Sequence, residues 1–159
     1  MARARVLLVG LDPDIVDYTK SPVPGLTAAK VRAAVEADSA KLETLGYSVK
    51  SLYVDDGKTA EAVLTDALTT SRYDCIMIGA GLRIVPPYFL LFEKLINIVH
   101  RHAPASSKLC FNSNPADTAE AVKRWVLTAG SDKATAGAAA PAAARGAASG
   151  SRTNRGRRS

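Results

Sequence analysis

Tyr73-Asp74-Cys75-Ile76-Met77-Ile78-Gly79-Ala80-Gly81-Leu82-Arg83, running on to Pro86-Pro87, is the stretch whose reading decides the fold. It reads as a buried strand, the most apolar in the chain, that stops at a glycine-rich turn carrying one arginine. Pro86 and Pro87 lack donors that a first helical turn does not need, so they are expected to start a helix. In a parallel α/β sheet, such a strand end is where a ligand sits.

Working outward, the same alternation repeats. Val6 to Leu11 is a short β-branched apolar run that suits a strand covered on both faces. An unusually long connection follows, Asp12 to Gly25, with Pro13, Pro22 and Pro24. Connections of this kind usually run about 2–6 residues, and longer ones often carry function. Thr27 is expected to cap a helix reaching Leu45, with Val31, Ala34, Val35, Leu42 and Leu45 on its apolar stripe and Gly46 ending it. Tyr47 to Val54 reads as an edge strand, because Lys50 and Ser51 interrupt it. After the Asp55-Asp56-Gly57 turn, Thr59 caps a helix to about Ser71 with Ala62, Val63, Ala67 and Leu68 inward.

Beyond the decisive stretch, a helix to His102 places Leu90, Leu91, Leu95, Ile98 and Val99 inward. Lys108 to Asn112 is the fourth strand, and Asp117 with Glu120 marks a last helix through Leu127. Trp125, Phe89 and Phe92 are assigned to the core. The order βαβαβαβα implies an α/β fold: a small three-layer sandwich with a four-stranded parallel sheet, order 2-1-3-4, flavodoxin-like or Rossmann-like. The first and last helices then share one face of the sheet, and the middle two the other.

The chain has 159 residues, 47% hydrophobic and 23% charged, enough for one domain with a proper core. Residues 1–129 form the expected domain. Residues 130–159 are rich in Ala, Gly, Ser and Arg without large apolar groups, and are expected to be a disordered basic tail. That tail carries +5 of the net charge of +6, so the folded part has no basic field to attract nucleic acid. Nucleic-acid contact is expected only through the tail's arginines. No apolar run reaches the ~18 residues that span a bilayer. Arg3 and Arg5 precede an apolar run too short for a signal peptide, so the chain reads as cytoplasmic with no membrane partner. Cys75 and Cys110 lie in apolar runs and read as small buried hydrophobes rather than a bridge.

For order 2-1-3-4 the ligand crevice lies between the first and third strands. Gly79, Gly81 and Arg83 would contact an anion, Asp12 would pair with Arg83 or meet a ligand hydroxyl, and Asn112 and Asn114 would be lateral polar contacts. The bland alternative is a tight turn whose Arg83 simply pairs with Asp12. A dinucleotide fingerprint needs its third glycine where Ile84 stands. The acidic set Asp12, Asp14, Asp17, Asp55 and Asp56 lacks the third-strand aspartate of a receiver, so no metal is expected. His100 and His102 read as cations at a helix C-terminus. No nucleophile elbow, P-loop or zinc spacing is present, and the residues single out no cofactor.

Val6-Leu7-Leu8-Val9-Gly10-Leu11-Asp12-Pro13, Tyr73-Asp74-Cys75, Ile78-Gly79-Ala80-Gly81-Leu82-Arg83, and Leu91-Phe92-Glu93 with Asn97 and His100 resemble a group of small bacterial and fungal α/β proteins of unassigned function. The likeness covers roughly residues 5–127. It implies the fold and the domain extent, and no activity. Three functional classes follow: a binding domain for an anionic small molecule (phosphate or nucleotide), an enzyme using the same crevice, and an interaction module that forms a homodimer.

Overall fold

The computed structural model describes residues 2–21 and 23–128. The expected tail, 130–159, and its nucleic-acid contact lie outside the described residues. In chain order the elements are β1 (Arg5–Leu11), α1 (Ala28–Thr44), β2 (Ser48–Val54), α2 (Ala60–Thr70), β3 (Cys75–Ile78), α3 (Ala80–Ile84), α4 (Phe89–His102), β4 (Lys108–Phe111) and α5 (Thr118–Lys123). Short 3-10 turns at Pro13–Ile15, Tyr18–Lys20 and Pro86–Tyr88 interrupt the connections.

All strand pairs are parallel, in the order β2-β1-β3-β4. Val9 sits between Leu52 and Ile78, and Ile78 stands opposite Phe111. The alternation of side chains divides the core into two layers. Leu7, Val9, Ile76 and Ile78 face Leu64, Leu68, Leu82, Leu91 and Leu95 of α2, α3 and α4. Val6, Leu8, Cys75, Met77 and Cys110 face Leu42 of α1 and Ala119, Ala121 and Val122 of α5. The first and last helices thus share a face, as right-handed crossovers require. β2 is an edge, and its burial is broken accordingly. No helix among the described residues is long and apolar enough to cross a membrane.

Several helix faces differ from the expected stripes. Leu45 is exposed: the turn at Gly46, φ +95°, brings Tyr47 into the core instead. Asp55, not the Thr59 side chain, caps α2, accepting from the Thr59 and Ala60 N–H groups at 2.9 and 3.1 Å. The helix therefore buries Ala60, Leu64, Ala67 and Leu68, and Ala62 turns outward. On α4 the buried row is Leu91, Leu95 and Val99; Leu90 is 69% exposed. Helix α5 stops at Lys123, so Trp125 lies beyond it and is 56% exposed. Phe89 is likewise exposed, whereas Phe92 is half-buried against Phe111, ring centroids 5.9 Å apart. Asp117 turns back onto Ser113 and Asn114 rather than capping α5. The N–H of Ala119 is taken by buried Asp38 of α1 at 3.0 Å.

Candidate functional site

The carboxyl ends of β1, β3 and β4 carry Asp12, Gly79 and Asn112, the three places where the crevice was expected. Gly79 donates its N–H to the Val9 carbonyl at 2.7 Å, extending the ladder one step past β3. A Cβ at Gly79 would stand 3.3 Å from that same oxygen, a tight contact that the bare glycine avoids where the two strand ends close up.

The glycine-rich turn is in fact a helix. α3 begins at Ala80, immediately after β3, rather than at Pro86. Asn112 is the reason. Its buried Oδ1 accepts the Ala80 N–H at 2.7 Å, and its Nδ2 donates to Thr118 Oγ1 at 3.0 Å. The helix ends at Val85, held extended (φ −90°, ψ 111°) because a residue before proline is kept out of the helical region. Pro86 and Pro87 then form a separate 3-10 turn. Gly81 is exposed within α3, where a Cβ would make only ordinary contact with Leu11.

Arg83 does not pair with Asp12. Its guanidinium reaches across to β4, donating to the Asn112 carbonyl at 2.7 Å with its Cζ 5.9 Å from the Phe111 ring centre. Its Nε is buried without a hydrogen-bond partner. Among the described residues it has no ion pair. Asp12 is engaged elsewhere: it accepts from the Asp14 N–H at 3.0 Å and from Arg32 of α1 at 3.0 Å. Arg32 also holds Asp14 at 2.5 Å and lies 5.5 Å from the centre of the Tyr53 ring. The hydrogen bond to Asp14 pushes Arg32 up, beyond its already high value. Burial, with the negative charge of Asp14, pushes the nearby Tyr18 hydroxyl up. This Arg32 cluster was missing from the expected set, because α1 brings it to Asp12 from twenty residues away.

Asn114 keeps its bonds within its own loop: Oδ1 accepts the Ala116 N–H at 2.9 Å and Nδ2 donates to Ser113 Oγ at 3.2 Å. Asp117 anchors that loop. Burial would raise its carboxyl, but donors from Ser113 and Asn114 prevail and hold it below the usual range. Of the six expected contacts, Gly79, Gly81, Arg83 and Asn112 are therefore linked around α3 and the end of β4. Asp12 belongs to the Arg32 cluster and Asn114 to the adjoining loop.

Two cavities among the described residues lie elsewhere. One of about 350 Å³, lined by Asn97, His100, Ser107 and Lys108 over Ile76 and Leu109, opens at the amino end of β4. Another of about 400 Å³ lies along α4, where Leu90, Lys94 and Arg101 meet Glu61 of α2. Neither is lined by Arg83. Among the described residues no group of three or more His, Cys, Asp or Glu side chains is placed to hold a metal ion. What this end of the sheet offers is electrostatic: one half-buried cation beside an aromatic ring and a helix start. No protein-family model matches the chain, and comparison with curated proteins finds no match either.

Proposed function

We propose that the domain binds a small anionic ligand, a phosphate or carboxylate, at the carboxyl ends of β3 and β4 with Arg83 as its principal contact. One observation carries this reading: Arg83 is a half-buried cation whose Nε has no partner. Its only other polar contact among the described residues is the uncharged Asn112 carbonyl. A partly desolvated guanidinium gains most from a ligand that supplies charge and acceptors together. Asn112 positions it, exposed Gly81 leaves the approach open, and Asn114 flanks the approach from the next loop.

The test is a thermal-shift series with inorganic phosphate, sugar phosphates, nucleotides and small carboxylates. A ligand at 100 times its Kd should add about 2.7 kcal/mol of stability. Arg83→Ala should lose that response. An unmoved melting temperature with every anion, or an Arg83→Ala protein that responds like wild type, overturns the reading.

A second reading, self-association, rests on Ile84, Phe89 and Leu90. They are 53%, 57% and 69% exposed within a single α3–α4 segment, an apolar group of the kind that marks interfaces. Sedimentation velocity should then show a dimer that Leu90→Asp dissociates; a monomer at all concentrations excludes it.

A further inference from the structure

The Cys75 and Cys110 sulfurs lie 3.4 Å apart, unbonded, on neighbouring parallel strands. Both side chains are buried on the same face, among Val6, Leu8, Met77 and the small residues Ala119 and Ala121 of α5. Cys110 stands opposite Met77 in register, so the pair spans the diagonal between β3 and β4. A disulfide holds its sulfurs about 2.05 Å apart, so closure requires an approach of roughly 1.4 Å. Cys110 lies on the strand that leads to the Arg83 site. Two residues beyond Cys110, Asn112 holds both the start of α3 and the Arg83 guanidinium.

We propose that Cys75 and Cys110 are a redox pair whose closure to a disulfide shifts Asn112, and with it Arg83. Its consequence for ligand affinity rests on the anion-binding reading above. The oxidant is a hydroperoxide, in the simplest case hydrogen peroxide, close to water in size. It is admitted when the six-residue α5 opens locally. The hydrogen bond to Cys110, with burial, pushes the Cys75 thiol up, and either sulfur can donate that bond. Either thiol can open the reaction, and Cys110 serves as the attacking sulfur. Its thiolate attacks one peroxide oxygen and the O–O bond breaks. The departing hydroxide becomes water, leaving a sulfenic acid on Cys110. Cys75 then attacks the Cys110 sulfur, and its proton leaves with the sulfenic hydroxyl as a second water. Two thiols lose two electrons, and one peroxide becomes two waters.

The experiment treats the full native chain with hydrogen peroxide, then alkylates it in denaturant and reads peptide masses. The expected result is an intramolecular Cys75–Cys110 peptide, reversed by dithiothreitol. A moved Asn112 side-chain amide resonance and a several-fold change in phosphate affinity should accompany it. Cys75→Ala, or Cys75→Ser if that variant fails to fold, should give a dimedone adduct at Cys110 and no bridge. Met77→Leu should leave the Asn112 shift intact, which separates it from thioether oxidation. Two thiols that stay alkylatable, bridges only between chains, or a bridge with an unmoved Asn112 resonance would each overturn the proposal. If the bridge forms and Asn112 moves while phosphate binds neither form, the anion reading falls and the redox pair stands.

Discussion

Two arginines stand over aromatic rings at the carboxyl end of the sheet, and they are in opposite electrostatic states. Arg32 lies above Tyr53 and is held by the carboxylates of Asp12 and Asp14. Arg83 lies beside Phe111, donates to a backbone carbonyl, and keeps an unpartnered Nε. A guanidinium with two carboxylates gains little from a further anion. One facing only a carbonyl still has its charge to meet. Availability for a ligand is thus set by the counter-charge, and both arginines sit at strand ends where position alone cannot separate them.

The strongest way to break this contrast is through Asn112. Asn112→Ala leaves the buried Ala80 N–H without its partner, leaves the Thr118 hydroxyl only the Pro115 carbonyl, and frees the start of α3. Urea unfolding should show a loss of about 1–3 kcal/mol, the cost of one orphaned buried donor. Asn112→Asp keeps an acceptor for Ala80 and places a carboxylate near Arg83. It should retain most of the stability and abolish anion binding, making Arg83 electrostatically like Arg32. A variant that still binds phosphate as tightly as wild type contradicts the role given to counter-charge.

The two glycines flanking Ala80 should differ in sign. Gly79→Ala drives a Cβ to 3.3 Å from the Val9 carbonyl and should cost about 1–2 kcal/mol. Gly81→Ala meets only ordinary contact and should stabilise the exposed helix by about 0.5–1 kcal/mol. Arg32→Ala removes partly exposed ion pairs, so its stability change should stay under about 1 kcal/mol. Phosphate binding should be unaffected by it, in contrast to Arg83→Ala; titration calorimetry on the two variants compares them directly. Acid should have the mildest effect. The Asp55 and Asp117 carboxyls are held below their ordinary values in the folded state. Their contribution is therefore present above the unfolded carboxyl pKa of about 3.9 and lost as pH falls below it. A melting temperature that rises on acidification below that point would contradict both assignments.

The strand order, the division of helices between faces and the turns at Gly46 and Gly57 were legible because each depends on local pattern or chain handedness. Gly46 and Gly57 both have positive φ, as their turns required. The site was legible in place and not in wiring. Nothing near Ala80 announces a helix start there, because its cap comes from Asn112, 32 residues away. The Asp38 bond to Ala119 spans 81 residues and is equally silent in sequence. Arg83 was the expected partner for Asp12; the bond that Asp12 accepts instead comes from Arg32, 20 residues on, and nothing near Asp12 announces it. The exposed Leu45, Leu90 and Trp125 make a similar point: periodicity marks an apolar row, and only neighbouring elements decide what covers it.

The Tyr47 hydroxyl donates to the Val126 carbonyl at 2.5 Å, and a Cβ on Gly46 would stand 4.0 Å from Thr128. The described chain therefore ends beside the residues that lead into β2, at the amino end of the sheet, with the full length of the strands between it and Arg83. This makes the molecule convenient to tether. Surface capture through a side chain at Thr128 should present Arg83 outward to solution.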